Sequence, residues 1–527
     1  MNKNYKKWIE NVKDKEDIEL LKNFSDKDIK EFFSESLSFG TAGIRSIMGL
    51  GTSRINKYTV NRFALGLAKY YKDNLEFKNK GVIIAHDTRN NSKEFAEIIC
   101  STLNKEGINS YLFFNNESQP TPILSYAINK LKMSSGIVIT ASHNPKEYNG
   151  IKVYTSQGHQ LLPRESKLIS DSIESIENYF DIPFENNKYI SGKIIFNYYK
   201  DIKKITTENL EDVKFIFSSL HGTSYKHYVN LSYIYKYNMI SVKNQNTEDG
   251  NFSNAKSINP VDLESYQESI KVFNQNKDVD FAAVNDGDAD RLGVMINHNN
   301  ELIHLTGNEL STIQFNYLVT KSKKKKNKLL IYSNVSSDLP SLIAKDNHIN
   351  IKVTPTGFKW IGSIIKDNKK NYLYGFEESY GSLILPIDKD KDAIQSTLNI
   401  INMVAFYKKQ NKTLVDVLND IYKRYGYMKL NTISIKTSKN INDILDKFTK
   451  LNKVLDFNNL EIVDYRTKEG DLNQNMIKIN FDHNWIAIRP SGTEPLIRFY
   501  MQSYNKDKSK ADGLLKDIEK FLQEKIK

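Results

Sequence analysis

The amino-acid sequence predicts an α/β protein built from repeated strand–helix units. Short apolar runs that suit buried strands alternate with segments of helical periodicity, and this alternation is typical of parallel sheets covered by helices. Two polar segments, residues 140–145 and 286–291, come directly after such runs. Open α/β sheets bind ligands at the carboxyl ends of their strands. Both segments are therefore predicted to contribute to a site.

The first unit is preceded by residues 1–35, where the apolar spacing predicts two short helices. Apolar runs predict strands at 81–85, 111–114 and 136–140, and helical spacing predicts a helix over 95–103 between the first two strands. The loop that follows the third strand contains Ser142, so this hydroxyl is expected at a strand end.

The pattern restarts twice, and the end of the chain differs from it. Residues 213–217 and 281–284 predict the strands of a second unit, and 329–333 and 372–374 those of a third. The last hundred residues contain predicted strands at 433–436 and 485–488 and a closing helix from about residue 508. We place domain boundaries near residues 195, 305 and 425, which predicts domains 1–195, 196–305, 306–425 and 426–527.

Length and composition indicate a globular protein of several domains. A chain of 527 residues exceeds a single hydrophobic core and suggests about three to four domains. No run approaches the roughly 18 apolar residues that span a bilayer, and the first residues lack the apolar stretch of a secretory signal. Cys100 is the only cysteine, which excludes an intrachain disulfide and a multi-cysteine metal site. We expect a cytoplasmic protein without a membrane partner.

The net charge of +12 raises the alternative of a basic nucleic-acid-binding protein. Arginine supplies only 10 of the 75 positive residues, and five of these ten lie in the short motifs described below. Lysine is scattered along the chain, as is usual for solvated surfaces, and the lysine-rich run at 321–328 suits a loop between a helix and a strand. The charge therefore does not by itself favour nucleic acid, and we expect none as a partner.

Two motifs indicate phosphoryl transfer. Residues 140–145, Thr-Ala-Ser-His-Asn-Pro, place the hydroxyl of Ser142 on a tight turn. Asp286, Asp288 and Asp290 alternate around a glycine, and three such carboxylates suit a hard divalent cation such as Mg²⁺. The spacing also resembles part of a calcium-binding EF-hand loop, but the preceding apolar strand and the absence of a distal glutamate argue against it. A serine beside such a cation can carry a phosphoryl group.

Two further motifs indicate a sugar phosphate. Residues 489–498 combine two arginines, two hydroxyl side chains and a glycine, a composition that suits a phosphate because arginine donates two hydrogen bonds and glycine lets backbone N–H groups approach. Residues 375–381, Gly-Phe-Glu-Glu-Ser-Tyr-Gly, offer a carboxylate and a hydroxyl that suit vicinal sugar hydroxyls.

In this order, the four motifs resemble those of the α-D-phosphohexomutase superfamily, over nearly the whole chain. Residues 39–45 and 85–89 are similar to further family positions, and residues 356–360 together with the Glu-Glu-Ser-Tyr-Gly form are most similar to the phosphoglucomutase/phosphopentomutase branch. The resemblance implies four domains around a central cleft: three similar α/β sandwich domains with mixed sheets and a smaller α+β C-terminal domain.

The resemblance also implies the site residues. The catalytic positions are Ser142, Lys152, Arg45 and His143, and the Mg²⁺ ligands are Ser142, Asp286, Asp288 and Asp290. Relatives typically read Lys-Asp-Gly around Lys391, whereas Ala393 stands here in place of the glycine. The substrate-binding positions are Arg291, Thr356, Gly357, Glu377, Ser379, Lys391, Arg489, Ser491, Gly492, Thr493 and Arg498.

The function that the resemblance implies is reversible conversion of glucose 1-phosphate to glucose 6-phosphate through a phosphoserine and a 1,6-bisphosphate. The alternatives within the enzyme class are a phosphomannomutase and a phosphopentomutase, and the alternative outside it is the nucleic-acid-binding protein. The expected cofactors are Mg²⁺ and glucose 1,6-bisphosphate, and the expected state is a monomer or weak homodimer.

Overall fold

The computed structural model describes residues 2–40, 43–74, 80–184, 187–437, 440–470, 473–490 and 496–526. Within these residues the strands form four sheets, one after another along the chain. Three sheets are mixed and share a strand order, and the fourth is antiparallel.

Three helices precede the first sheet, so the prediction of two was wrong. They are α1 Lys3–Asn11, α2 Lys15–Lys22 and α3 Asp26–Phe32. The side chains of Asp14 and Ser25 accept hydrogen bonds from backbone N–H groups of the helix that follows each of them, and so start α2 and α3 as separate helices. Trp8 of α1 is fully buried, packs against the ring of Tyr58 and donates a hydrogen bond to the hydroxyl of Tyr179, which fixes these helices on the first domain.

The first sheet has the order β1-β5-β4-β2-β3, and β2, β3 and β4 are parallel. Both faces of β4 are buried, because Val138 packs into one hydrophobic cluster while Ile137 and Ile139 pack into another. The strands are β1 Ile44–Ile47, β2 Val82–His86, β3 Ser110–Leu112, β4 Ser135–Ile139 and β5 Tyr148–Tyr154. The helices are α4 Lys57–Asp73, α5 Ser92–Lys105, α6 Thr121–Leu131, α7 Pro163–Glu174 and α8 Lys193–Ile202.

The second sheet has the order β10-β9-β8-β6-β7 and repeats the same parallel and antiparallel pairings. Its strands are β6 Lys214–Ser218, β7 Asn238–Ser241, β8 Phe281–Asn285, β9 Leu292–His298 and β10 Glu301–Leu305. Its helices are α9 Tyr225–Tyr235 and α10 Gln267–Gln275.

The third sheet has the order β12-β11-β13-β14. Its first helix begins at a capping box between Thr306 and Glu309, which satisfies backbone N–H groups at the helix start. The strands are β11 Leu329–Ser333, β12 Asn350–Thr354, β13 Tyr372–Glu377 and β14 Gly381–Leu383. The helices are α11 Gly307–Lys321, α12 Leu339–Asp346, α13 Phe358–Asn368, α14 Ala393–Lys408 and α15 Leu414–Tyr425.

The fourth sheet is an antiparallel sheet of order β15-β19-β18-β17-β16. The strands are β15 Tyr427–Lys436, β16 Glu461–Asp464, β17 Ile477–Phe481, β18 Asn484–Pro490 and β19 Leu496–Asn505. Its helices are α16 Ile441–Thr449 and α17 Lys508–Ile526, the second of which starts where the sequence predicted a closing helix.

The first three sheets share one topology. In each, four strands that follow one another along the chain lie side by side in the order fourth, third, first, second of these four, namely β5-β4-β2-β3, β9-β8-β6-β7 and β14-β13-β11-β12. In addition, β1 lies beyond β5 and β10 lies beyond β9. The fourth strand is antiparallel to the third, and the others are parallel. The predicted fold class, three similar α/β domains and a smaller C-terminal domain, is confirmed. The numerical domain boundaries stay predictions.

No helix in the described part of the chain is both long and apolar enough to cross a bilayer.

A pair of helical glycines gives a test of the packing. A Cβ atom added at Gly66 of α4 would lie 2.5 Å from Cα of Ile173 in α7, whereas one added at Gly513 of α17 meets nothing within 4 Å. We expect Gly66→Ala to destabilise the protein by about 1–3 kcal/mol, because two helices are forced apart. Gly513→Ala should stabilise its domain by about 0.5–1 kcal/mol through helix propensity alone.

Urea unfolding followed by circular dichroism measures both variants against the unchanged chain. Stabilisation by Gly66→Ala would contradict the close packing of α4 on α7.

Candidate active site

The chemically important loops occupy one topological position in the three similar domains. Ser142 follows β4, the metal-loop acids lie between β8 and β9, and Ser379 lies between β13 and β14. The three loops therefore join β4 to β5, β8 to β9 and β13 to β14, which are equivalent pairs of strands in the topology that the three sheets share. Each also contains a non-glycine residue with left-handed backbone: Ser142 at φ 53°, Ala289 at φ 54° and Tyr380 at φ 67°. Such strained residues concentrate at functional sites, where surrounding contacts hold them.

Ser142 meets the metal loop of the second domain. Its Oγ donates a hydrogen bond to Oδ2 of Asp286 at 2.8 Å and lies 3.2 Å from Nδ1 of His143. The residue is only 2% exposed. Loss of hydration, and then the positive charges of Arg291 and Arg45, lower the pKa of His143 well below its ordinary value. In its Nδ1–H tautomer, a neutral imidazole can donate a hydrogen bond to this hydroxyl oxygen, whose own proton is donated to Asp286.

Asp286, Asp288 and Asp290 form a compact cluster of carboxylates. One oxygen from each lies within 4.8 Å of the others, and all three residues are buried. Burial, and then repulsion from Asp290 and Asp288, raise the pKa of Asp286 well above its ordinary value. Concentrated negative charge of this kind requires a compensating cation.

The donor set fits a divalent metal ion. Oδ1 of Asp288 and Oδ1 of Asp290 are buried and have no hydrogen-bond partner among the described residues. Oxygen ligands on a short loop next to a serine hydroxyl suit Mg²⁺. These three residues and Ser142 could therefore hold the predicted ion.

Two lysines from other domains neutralise part of this charge. Nζ of Lys152 lies 2.7 Å from Oδ2 of Asp288 and 3.6 Å from Oδ2 of Asp290. Nζ of Lys391 lies 3.1 Å from Oδ2 of Asp290 and 3.1 Å from Oδ1 of Asp390. Burial alone would lower the pKa of Lys391, but these carboxylates outweigh it and raise that pKa. Lys391 is therefore held as a cation at the edge of the cluster.

Glu377 lies at the end of β13 and faces the cleft. Its Oε1 accepts a hydrogen bond from the backbone N–H of Gly357 at 2.7 Å. Burial raises the pKa of Glu377 to about 7, although the positive charge of Lys391 acts to lower it. The neighbouring Glu378 is engaged elsewhere, because its Oε2 accepts hydrogen bonds from Ser333 and Ser336. Glu377 is thus the acceptor of this pair that is available to a ligand.

The two arginines of the predicted phosphate motif lie side by side. Arg489 on β18 is the direct cross-strand partner of Arg498 on β19. Both side chains line the cleft opposite Ser142, and Lys359 of α13 lies near them. Burial, and then the charge of Arg489, lower the pKa of Lys359 to about 8. The remaining predicted phosphate contacts, Ser491, Gly492 and Thr493, lie outside the described residues.

A single cleft of about 620 Å³ brings these groups together. Asp286 and Asp288 lie beneath its floor, and every other predicted site residue in the described part of the chain lines it. Its lining has seven cationic side chains against three carboxylates, which suits an anionic ligand. The predicted residues in the lining are Arg45, Ser142, His143, Lys152, Asp290, Arg291, Thr356, Gly357, Glu377, Ser379, Lys391, Arg489 and Arg498.

The cleft also contains residues that the sequence did not indicate. Thr432 and Ser434 alternate on β15, and Val261 and Asn259 come from a loop of the second domain. Alternation on a strand is a weak signal, and no motif marks the loop. Gln160 and Tyr500 are the other unpredicted lining residues. Phe358 and Lys359 belong to the segment 356–360, and Glu378 and Tyr380 to the segment 375–381, both of which the sequence indicated.

Comparison with known proteins agrees with this geometry. Four consecutive segments match the phosphoglucomutase/phosphomannomutase descriptions: alpha/beta/alpha domain I at residues 36–180, domain II at 196–299, domain III at 306–425 and the C-terminal domain at 435–520. A phosphoglucomutase of Staphylococcus aureus (strain bovine RF122 / ET3-1) is 36% identical over 94% of each chain. The chain belongs to the phosphoglucomutase/phosphomannomutase family. The predicted superfamily is confirmed.

Solved structures of family members share the fold. The open form of the Paramecium phosphoglucomutase pp63/parafusin has a TM-score of 0.75 and 18% identity, covering 93% of this chain and 96% of that one. An Aspergillus fumigatus N-acetylphosphoglucosamine mutase in complex with GlcNAc-6P and magnesium has a TM-score of 0.54 and 12% identity, covering 93% and 96%. At these identities the likeness concerns the fold alone.

The carboxylate cluster predicts a single metal site that calorimetry can detect. We expect Mg²⁺ to bind the chain with one-site stoichiometry, and Asp288→Asn to weaken binding by about tenfold or more, since even supporting residues of metal sites contribute that much. Asp338→Asn is the matched control, because Asp338 is a carboxylate whose oxygens accept hydrogen bonds from Tyr332 and Trp485 far from the cluster. Equal weakening by both variants would refute the site.

The pKa of Glu377 predicts a pH-dependent cost of ionisation. An unfolded glutamate ionises near pH 4.5 whereas Glu377 ionises near 7, so its penalty to the folded state grows between these values and levels off above them. Glu377→Gln removes the charge and keeps an oxygen for Gly357. The variant should therefore gain stability relative to the unchanged chain as pH rises from 5 to 8, by about 1.4 kcal/mol for each unit of the pKa difference at most.

Urea unfolding of both chains at pH 5 and at pH 8 measures this difference. If the free energy of unfolding of Glu377→Gln, relative to that of the unchanged chain, falls or stays constant from pH 5 to pH 8, the raised pKa is contradicted.

Proposed function

We propose that this chain is a phosphoglucomutase, which interconverts glucose 1-phosphate and glucose 6-phosphate through phosphorylated Ser142 and a glucose 1,6-bisphosphate intermediate. The observation that carries the proposal is the meeting of Ser142, the carboxylate cluster and the paired arginines in one cleft. A serine hydroxyl in contact with a potential metal site suits covalent phosphoryl transfer. The paired arginines form a second anion-binding group in the same cleft, as a substrate with a phosphate at each end requires.

The reaction requires two transfers at the same serine. In the first, the bond between phosphorus and Oγ of Ser142 breaks, and a bond forms from phosphorus to the free sugar hydroxyl, which loses its proton. The bisphosphate then reorients, and its other phosphoryl group returns to Ser142 with the reverse proton movement. Lys152 and Arg45 are the groups that we assign to assist at the reacting oxygens. His143 supports the Ser142 oxygen through its ring nitrogen.

The paired arginines hold the phosphate that is not reacting. Arg489 and Arg498 present two guanidinium groups from neighbouring strands, and a bidentate contact of this kind is worth roughly 1.5–3 kcal/mol. Ser491, Gly492 and Thr493 complete this proposed phosphate site. Glu377 and Ser379 contact the sugar hydroxyls. The other substrate-binding residues of the cleft are Thr356, Gly357, Lys391 and Arg291.

Asp286, Asp288, Asp290 and Ser142 would hold Mg²⁺, and the ion when bound neutralises charge on the transferring phosphoryl group. We propose glucose 1,6-bisphosphate as the activator that restores phosphate to Ser142. The names of the Aspergillus structures give both ligand types for that enzyme: one has magnesium, and another, at TM-score 0.51 and 13% identity, glucose 1,6-bisphosphate. We further propose a cytoplasmic monomer or weak homodimer.

The choice of sugar is tested by comparing substrates. One purified sample should convert glucose 1-phosphate with a higher kcat/KM than mannose 1-phosphate, glucosamine 1-phosphate or ribose 1-phosphate. Phosphomannomutase and phosphopentomutase are the alternatives, and a higher value for mannose or ribose phosphate would replace the glucose assignment with one of these.

Ser142→Ala should lower the turnover rate by more than about a thousandfold, because the covalent step has no other nucleophile. After incubation with glucose 1,6-bisphosphate, intact-mass measurement should find one phosphate on the unchanged chain and none on the variant. Ser134→Ala is the control, since Ser134 is buried just before β4, at the end away from the cleft. A phosphate found on another residue would show that Ser142 is not the phosphorylated nucleophile.

A further inference from the structure

The loop that carries Ser142 is held by the guanidinium group of one buried arginine. Nη2 of Arg89 donates to the carbonyl oxygens of Ser142 at 2.8 Å and Asn144 at 2.5 Å. Nη1 donates to the carbonyl oxygens of Pro145 at 2.8 Å and Tyr148 at 3.0 Å. One side chain thus satisfies four carbonyl oxygens between the end of β4 and the start of β5.

These contacts replace the hydrogen bonds that a regular element would provide. The segment between Ile139 and Tyr148 has left the sheet, and a buried carbonyl group without a donor is costly. A guanidinium group is planar and has five N–H donors in fixed directions, whereas an ammonium group is a compact point charge. Only arginine among the ordinary side chains can therefore reach four carbonyls arranged in this way.

Arg89 is itself fixed from both sides. Its Nε lies 3.2 Å from Oδ2 of Asp87, and its backbone N–H donates to Oδ1 of the same residue at 2.9 Å. The ring of Phe252, from the second domain, lies 5.0 Å from the guanidinium carbon. The side chain of Arg89 is fully buried. Because the guanidinium group is itself held in place, it restrains the position of the loop whose carbonyl oxygens it binds.

The same region connects the Ser142 loop to the domain that carries the carboxylate cluster. The hydroxyl of Thr88 donates to the carbonyl of His221 at 2.9 Å. The backbone N–H of Thr223 in turn donates to the carbonyl of Gly287, within the metal loop, at 3.1 Å. The segment around Arg89 therefore sets where Ser142 lies relative to Asp286.

We infer that Arg89 is a positioning residue for phosphoryl transfer: it holds the left-handed turn of Ser142 so that Oγ points at Asp286. The inference rests on the proposed function. Arg89 touches backbone carbonyls and neither the serine hydroxyl nor the cleft, so its effect on the reaction passes through the loop. A misplacement of about 1 Å at a reacting group can cost a hundredfold in rate.

The test is Arg89→Lys, which keeps the charge and removes the planar set of donors. The matched control is Arg62→Lys. Arg62 lies in the same domain, donates to the carbonyls of Ile176 and Glu174 and has its guanidinium carbon 5.5 Å from the ring of Tyr179, away from the cleft. Both variants are assayed for kcat and KM with glucose 1-phosphate, and both are measured by amide hydrogen exchange over residues 140–148.

We expect Arg89→Lys to lower kcat by about ten- to a hundredfold with KM changed less than about threefold, because the phosphate and sugar contacts lie in other domains. Exchange over 140–148 should accelerate in this variant and stay unchanged in Arg62→Lys. If Arg89→Lys does not fold, the isosteric Asp87→Asn, which loosens the guanidinium, takes its place with the same expected directions.

Equal kcat values for the Arg89 variant and the control, or unchanged exchange over 140–148, would overturn the inference. A fall in kcat matched by an equal rise in KM would also overturn it, since that pattern indicates lost substrate binding. The exchange measurement does not depend on activity. If the unchanged chain does not convert glucose 1-phosphate, the proposed function is refuted. Hydrogen exchange over residues 140–148 still tests whether Arg89 holds the loop.

Discussion

The burial of three carboxylates at one point is the constraint on which the rest of this structure depends. Asp286, Asp288 and Asp290 lie together with almost no exposure to water, and isolated charges in such a place are very costly. Compensation comes from outside their own domain: Lys152 approaches from the first domain and Lys391 from the third. The acids therefore hold the domains in register, and their oxygens could also hold a cation.

The shared topology of the first three domains explains how their chemistry converges. Each of the three sheets presents a loop from the same topological position toward one cleft, and we propose a different role for each loop: a nucleophile, a metal site and a sugar contact. Each of these loops has a left-handed residue, at Ser142, Ala289 and Tyr380. Strain of this kind persists only where neighbours over-determine the backbone. The four carbonyl contacts of Arg89 are one such restraint.

The acidic segment around Asp390 shows how the third domain is tied to the first. The hydroxyl of Tyr154 and the side-chain amide of Gln160 both donate to Oδ2 of Asp390, and its Oδ1 lies 3.1 Å from Nζ of Lys391. Lys391 in turn reaches Asp290 of the second domain. Three domains thus meet through a short chain of hydrogen bonds and ion pairs next to the cleft. Ala393, which stands where the family resemblance suggests a glycine, is the first residue of α14.

The sequence by itself determined the features that are contiguous along the chain. Strand periodicity predicted nine of the 19 strands in the described part of the chain, eight of them to within three residues, and the motifs at 140–145, 286–291, 375–381 and 489–498 indicated the groups that the cleft brings together. The number of N-terminal helices was predicted wrongly because the apolar spacing does not show where one short helix ends and the next begins. Capping by Asp14 and Ser25 sets these starts. Tertiary structure alone decided the rest: the burial of Arg89 under the serine loop, the unpartnered oxygens of the acids and the cleft positions of Val261 and Thr432. These properties depend on contacts between residues far apart in the chain, and no local pattern encodes which of them will be buried together.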